Sequence, residues 1–265
     1  MTDIKESDAE IAPRAPSVKS ALRTLEILEA LSDSVSSKSV ATLSRELSIP
    51  KSSLHGLLRT MAGYGWLETD ATGTLYRLGL RALRTGTAYV ESDDIVTISQ
   101  MALDSLSEEI GETVHLGRLD GPNVIYLAKR ESAHALRLYS AVGRRLPAHA
   151  TALGKSLLAQ LTDDEVDRRL TWPLQALTPR TITDPDALHR ELALIRERGY
   201  AHDDGENAEG IRCTAVALRP IRGSYNAISC SVPEGRMSTD RESEIAGLLR
   251  NAVATVNSLA GRAAI

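Results

Sequence analysis

The chain has 265 residues, 42% apolar and 25% charged, a length that predicts about two domains and a balance that excludes wholesale disorder. Its formal net charge of −4, from 31 Lys and Arg against 35 Asp and Glu, argues as a whole-chain figure against duplex DNA as a partner. Two Trp, seven Tyr and no Phe exclude a single-strand platform of stacked aromatics, and the two cysteines, Cys213 and Cys230, exclude a disulfide scaffold and a Cys-rich zinc site.

Residues 1–16 hold four acids, two bases and two prolines with almost nothing to bury, so a disordered tail is expected there. The tail lacks the basic start and apolar stretch of a secretory signal, and no apolar run approaches the roughly 20 residues of a membrane span. A cytoplasmic protein with no membrane partner is expected. Val18 to Ser32 places Val18, Ala21, Leu22, Leu25 and Leu28 at helical spacing, and Val40 to Leu47 reads as a short helix burying Ala41, Leu43 and Leu47. "SIP" breaks it, with Ser48 as the expected N-cap and Pro50 in the first turn of a third helix. That helix puts Leu54, Leu57, Leu58 and Met61 on one face and ends near Gly63 and Gly65.

The period then changes. Trp66-Leu67-Glu68 and Leu75-Tyr76-Arg77-Leu78 flank "TDATGT", whose Gly73 suits a hairpin turn. Three helices followed by a hairpin is the order of a winged helix-turn-helix. Opposite the apolar stripe of the third helix lie Ser52, His55 and Arg59, with Lys51 and Ser53 in the first turn. Small hydroxyls let a helix approach base edges, while Lys and Arg meet phosphates or guanine. Arg77 on the hairpin is placed to reach an adjacent phosphate. Charge supports this division: residues 17–90 carry nine Lys and Arg against six Asp and Glu, and residues 91–265 carry 20 against 25.

Beyond the hairpin, "LGLRALRTGTAYV" reads as a helical connector and Ile95 to Ile110 as an amphipathic helix. Strands are expected at Thr113–Leu119, Val124–Ala128, Leu136–Ala141, Cys213–Leu218 and Ala227–Val232. Helices are expected at Ala152–Leu161, Asp186–Arg198 and Asp240–Gly261. Gly154-Lys155-Ser156 ends like a phosphate-binding loop, but the glycine required five residues earlier is replaced by His149. His149, His202, Asp203 and Cys213 could meet only through folding, since no metal-ligand spacing such as H-x-x-x-H is present. No metal and no cofactor are expected, and no nucleophile–base motif is visible. "PAHATALGKS" instead leads into a helix whose first N–H groups, near Thr151, Ala152 and Leu153, suit a carboxylate, with Ala150 and Ala152 small enough to let it approach.

The chain resembles the IclR family of bacterial transcriptional regulators through "VKSALRTLEILEALS", "SVATLSRELSIPKSSLHGLLRTMAGYGWLE", "YRLGLRAL", "GETVHLGRLDG", "VGRRLPAHATALGKSLLA", "GYAHDDGENAEGIRCTAVAL" and "AISCSVPEGRMS". One departure is Gly56, where the family often has Arg. The resemblance implies an α+β chain with a winged helix-turn-helix at 17–78, a linker helix at 79–94, and a GAF- or profilin-like α/β effector-binding domain at 95–265. It implies a repressor binding a palindromic double-stranded operator as a homodimer or dimer of dimers, controlled by a small organic or aromatic acid. The family's effector-contacting positions match Ala152, Leu153, Asp203, Cys213 and Ser231, with Leu136 and Leu138 as candidate apolar walls. The alternative is a metal-dependent enzyme carrying a small helix-turn-helix module.

Overall fold

Apolar periodicity in residues 18–78 generates three helices and a short sheet around one core. The computed structural model describes residues 18–33, 36–138 and 140–263, and the tail expected at 1–16 lies outside them. The chain forms two units, residues 1–86 and 87–265. In the first, α1 (Lys19–Ser32), α2 (Val40–Glu46) and α3 (Lys51–Gly63) enclose Ile27, Leu31, Leu43, Leu54, Leu58 and Met61. Strands β1 (Lys38–Ser39), β2 (Leu67–Thr69) and β3 (Leu75–Leu78) form an antiparallel sheet of order β1-β3-β2 that adds Leu67 and Tyr76 to this core. Ser39 caps α2 by accepting the Thr42 N–H at 3.1 Å.

Ser48 does not cap α3. It sits at φ +53 in the turn between α2 and α3, and Pro50 takes the position before the helix without a side-chain cap. The left-handed turn is held by Ser44 Oγ, which donates to the Ile49 carbonyl at 2.7 Å. Asp70 Oδ1 accepts the Thr74 and Leu75 N–H groups and closes the hairpin, with Gly73 at φ +69.

Helix α4 (Leu80–Glu91) carries the chain across the division between the units. The second unit then runs α5 (Asp94–Ile110), β4 (Thr113–Asp120), β5 (Asn123–Arg130), β6 (Arg145–Pro147), α6 (Ala152–Leu158), α7 (Asp163–Arg169), α8 (Pro185–Arg198), β7 (Ala201–Asp204), β8 (Ile211–Ala217), β9 (Asn226–Pro233) and α9 (Thr239–Ala263). The six strands form an antiparallel sheet of order β6-β5-β4-β9-β8-β7. Alternation along the strands gives it two buried faces. Val114, Leu116, Ile228 and Val232 pack with Leu103 of α5 and Leu249 of α9. Tyr126, Ala215 and Ala227 pack on the other side with Leu157 of α6 and Leu192 of α8.

Among the described residues of Leu136–Ala141, the expected strand does not form. Strand β6 takes only Asn123–Ile125 of the outer edge of β5, with Val124 opposite Leu146, and 136–138 joins no ladder. Leu136 stands 70% exposed in the resulting loop, while Tyr139 is outside the described residues. Alternating apolar residues supply a face for a strand but not a partner for its backbone.

Candidate functional site

Two surfaces carry the sequence-derived candidates, one in each unit. On α3, burial of Leu54, Leu58 and Met61 turns Lys51, Ser52, Ser53, His55 and Arg59 outward, and all five are exposed. None makes a side-chain hydrogen bond or ion pair among the described residues, so their donors and charges are available to a ligand. Gly56 lies among them, and a Cβ there would meet nothing within 4 Å. Arg77 differs, since its Nε and Nη2 donate to Glu68 Oε2 across the hairpin at 3.1 and 2.8 Å. The pair is exposed and therefore weak, so Arg77 is held but not immobilised.

In the second unit, strand register assembles a polar row. Asp203 on β7 lies opposite Cys213 on β8, and Cys213 lies opposite Ser231 on β9. Cys213 Sγ donates to Ser231 Oγ at 3.2 Å. This row borders a cavity of about 20 Å³ that is also lined by Thr151, Ala152, Leu153 and Leu138. Seven of the eight predicted effector residues therefore meet at one place, and Leu136 does not. Tyr126, Asn207, Ala208, Ile211 and Ser229 complete the wall and were missed by the sequence reading. Ser229 had a signal, since it shares a strand face with Ser231 two residues on.

The cavity is tight because Leu153 reaches the sheet at Gly117, where a Cβ would lie 3.0 Å from Leu153 Cδ1. Thr151 caps α6, accepting the Gly154 N–H at 3.1 Å and donating to the Pro147 carbonyl at 3.3 Å. Its hydroxyl serves the helix, while the N–H groups of the first turn have no intrahelical acceptor. Asp203 is 3% exposed, and burial pushes its carboxyl up to about 7, against the opposing hydrogen bond from the Glu206 N–H at 2.6 Å. Burial also raises the Cys213 thiol and the Tyr126 phenol, so both stay neutral.

The Gly154-Lys155-Ser156 run serves packing. A Cβ on Gly154 would lie 2.1 Å from the Ala148 carbonyl oxygen, so only glycine lets α6 approach that backbone. Lys155 is wholly buried, with Nζ 2.5 Å from Glu206 Oε1 and 3.6 Å from Glu191 Oε1. Ser156 Oγ donates to the Leu153 carbonyl at 2.7 Å.

The residues considered for a metal are dispersed. His149 Nε2 donates to the Gln175 carbonyl at 3.0 Å, and burial lowers its pKa. His202 alternates with Asp203 on β7 and so faces the other side of the sheet, 3.6 Å from Glu242 Oε1. Among the described residues, no three His, Cys, Asp or Glu side chains gather as a metal-holding group. Nor is any helix among them long and apolar enough to cross a membrane.

Residues 20–71 match the family description "IclR helix-turn-helix domain", and residues 87–258 match "Bacterial transcriptional regulator IclR C-terminal". The chain is 38% identical over 204 residues to the HTH-type transcriptional regulator XynR of Escherichia coli (strain K12), covering 77% of this chain and 81% of that protein. It is 33% identical over 249 residues to the transcriptional repressor IclR of the same organism, covering 92% and 91%. A crystal structure of an IclR homolog from Microbacterium hydrocarbonoxydans, complexed with 4-hydroxybenzoate, shares the fold at a TM-score of 0.72 and 24% identity, covering 90% of this chain and 98% of that one. The matched relatives are regulators of transcription, not enzymes.

Proposed function

The chain belongs to the IclR family of bacterial transcriptional regulators, and from that premise we propose that it is a repressor whose grip on a palindromic operator is set by a small organic or aromatic acid. The observation that carries the DNA half is the outward face of α3, where Lys51, Ser52, Ser53, His55 and Arg59 are exposed and uncommitted. Arg59 reads a base edge or meets a phosphate, and Arg77 adds a backbone contact from the hairpin. A homodimer, or a dimer of dimers, presents two such helices to half-sites one helical turn or a multiple apart. Exposed Val18 before α1, Leu22 and Leu25 on α1, and Leu80 and Leu83 on α4 supply apolar surface for that assembly. Its place is the cytoplasm, where chromosomal DNA is reached.

The regulatory half is supported by the polar row of Asp203, Cys213 and Ser231 that borders the cavity beside α6. An acid acts there by binding one arrangement of the assembly better than another. Footprinting on the DNA flanking its own gene tests the reading, with 4-hydroxybenzoate among the first acids to screen. A protected palindrome is expected, with affinity falling steeply as salt rises. Arg59→Ala is expected to weaken operator binding by about 1–3 kcal/mol if the side chain reads a base, and less if it meets phosphate. No protected site at moderate salt overturns the proposal.

A further inference from the structure

Among the described residues, the wall of the proposed effector cavity contains one carboxylate and no cation. Asp203 is buried there among groups that stay neutral, namely Tyr126, Asn207, Cys213, Ser229 and Ser231. Its Oδ1 already accepts the Glu206 and Asn207 N–H groups at 2.6 and 3.4 Å. Lys155 of α6 is the buried cation facing this region, and it is committed to Glu206 of the β7–β8 loop and Glu191 of α8. His202, Asp204, Arg212 and Glu242 border a second cleft of about 170 Å³, which Asp203 and Cys213 also line, and there Arg212 pairs with Asp204 at 2.5 Å and His202 faces Glu242. Among the described residues the nearby positive side chains are thus Lys155 and Arg212, both paired with carboxylates, and the exposed Arg144, which acts on Tyr126; none of them lines the cavity.

We propose that the cavity takes its organic acid together with one proton, held between the ligand's carboxyl group and Asp203. This rests on the reading of the cavity as the effector site and adds to it the charge state in which the effector enters. Two carboxylates sharing a site cannot both ionise, because like charges in a low dielectric force one to keep its proton. One short O–H···O bond replaces that repulsion. When both acids arrive ionised, the proton comes from solvent and the pair keeps a single negative charge. Burial already holds the Asp203 carboxyl near neutrality, so close to pH 7 the proton is partly in place before the ligand arrives.

Affinity for an acid should then be flat below about pH 7 and fall about tenfold for each further pH unit. Isothermal titration of the full-length protein with 4-hydroxybenzoate and lactate, from about pH 6 to about pH 8.5, tests this. Repeating the alkaline titration in buffers of different ionisation heat should show uptake of about one proton per ligand. Asp203→Asn, which keeps an oxygen for the Glu206 and Asn207 amides, should flatten the profile and bind more tightly than wild type at the alkaline end. If that variant does not fold, the proton count on the wild-type protein decides alone. Binding that is independent of pH with no proton uptake overturns the proposal and leaves the effector site standing. Affinity that rises with pH also overturns it, because a ligand hydroxyl then donates to ionised Asp203. No binding of either acid at any pH overturns the acid-effector reading, and this proposal with it.

Discussion

Lys155 shows how far one residue's surroundings depart from its neighbours in sequence. A wholly buried ammonium is tolerable only when paired, and its partners lie 51 residues away at Glu206 and on α8 at Glu191. Local spacing cannot reveal such a pairing, so the sequence offered only a defective phosphate loop. Lys155→Met should destabilise the second unit by about 3–5 kcal/mol near pH 8, since it strands Glu206 without its cation. Burial already raises the Glu206 carboxyl, so in the variant it takes up a proton as pH falls and the buried charge disappears. The loss should therefore shrink toward about pH 5, as denaturant unfolding at the two pH values will show. The polar row was legible only through resemblance. Asp203, Cys213 and Ser231 are joined by register across three strands, which no one-dimensional pattern encodes.

At the scale of elements, α3 was legible almost to its ends because Leu54, Leu58 and Met61 repeat on one stripe. Its weak point is Gly56, exposed and open around an added Cβ. Gly56→Ala should raise the stability of the first unit by up to about 1 kcal/mol, seen as a higher unfolding midpoint. If operator affinity falls at the same time, the DNA backbone or a base approaches that gap. Long helices with end signals read well: Asp93 before α5 and Gly111 after it, Asp184 before α8 and Gly199 after it. Helix α7 was missed although Thr162 and Glu165 form a reciprocal capping box, a signature present in the sequence. Strands β6 and β7 span three and four residues, too short to show a period. The expectation at Leu136–Ala141 failed for the complementary reason, having the period but no backbone partner secured by it.

The whole chain divides its chemistry as it divides its charge. One core, around Leu54 and Leu58, supports the outward face of α3. The other, on both sides of the six-stranded sheet, supports the cavity. The two-domain expectation came from length, while the boundary at residues 86 and 87 falls inside a continuous helix, where composition does not change. Separate cores give separable failures. Leu58→Ala, which empties a fully buried position, should cost the first unit about 2–5 kcal/mol and weaken operator binding. The stabilisation that an acid gives the second unit should persist in that variant, as calorimetry with and without ligand will show.

A cavity of about 20 Å³ admits a water molecule and nothing with a ring. If an organic acid is the effector, as proposed, Leu138 and Leu153 occupy the room it needs, and its capture requires a wider form of the wall. The apparent dissociation constant is then the intrinsic one divided by the fraction of molecules already open. Where opening precedes capture, added ligand accelerates binding only up to the opening rate. The delay between the arrival of a metabolite and the response of the operator is then timed by the protein's own breathing, however abundant the metabolite becomes.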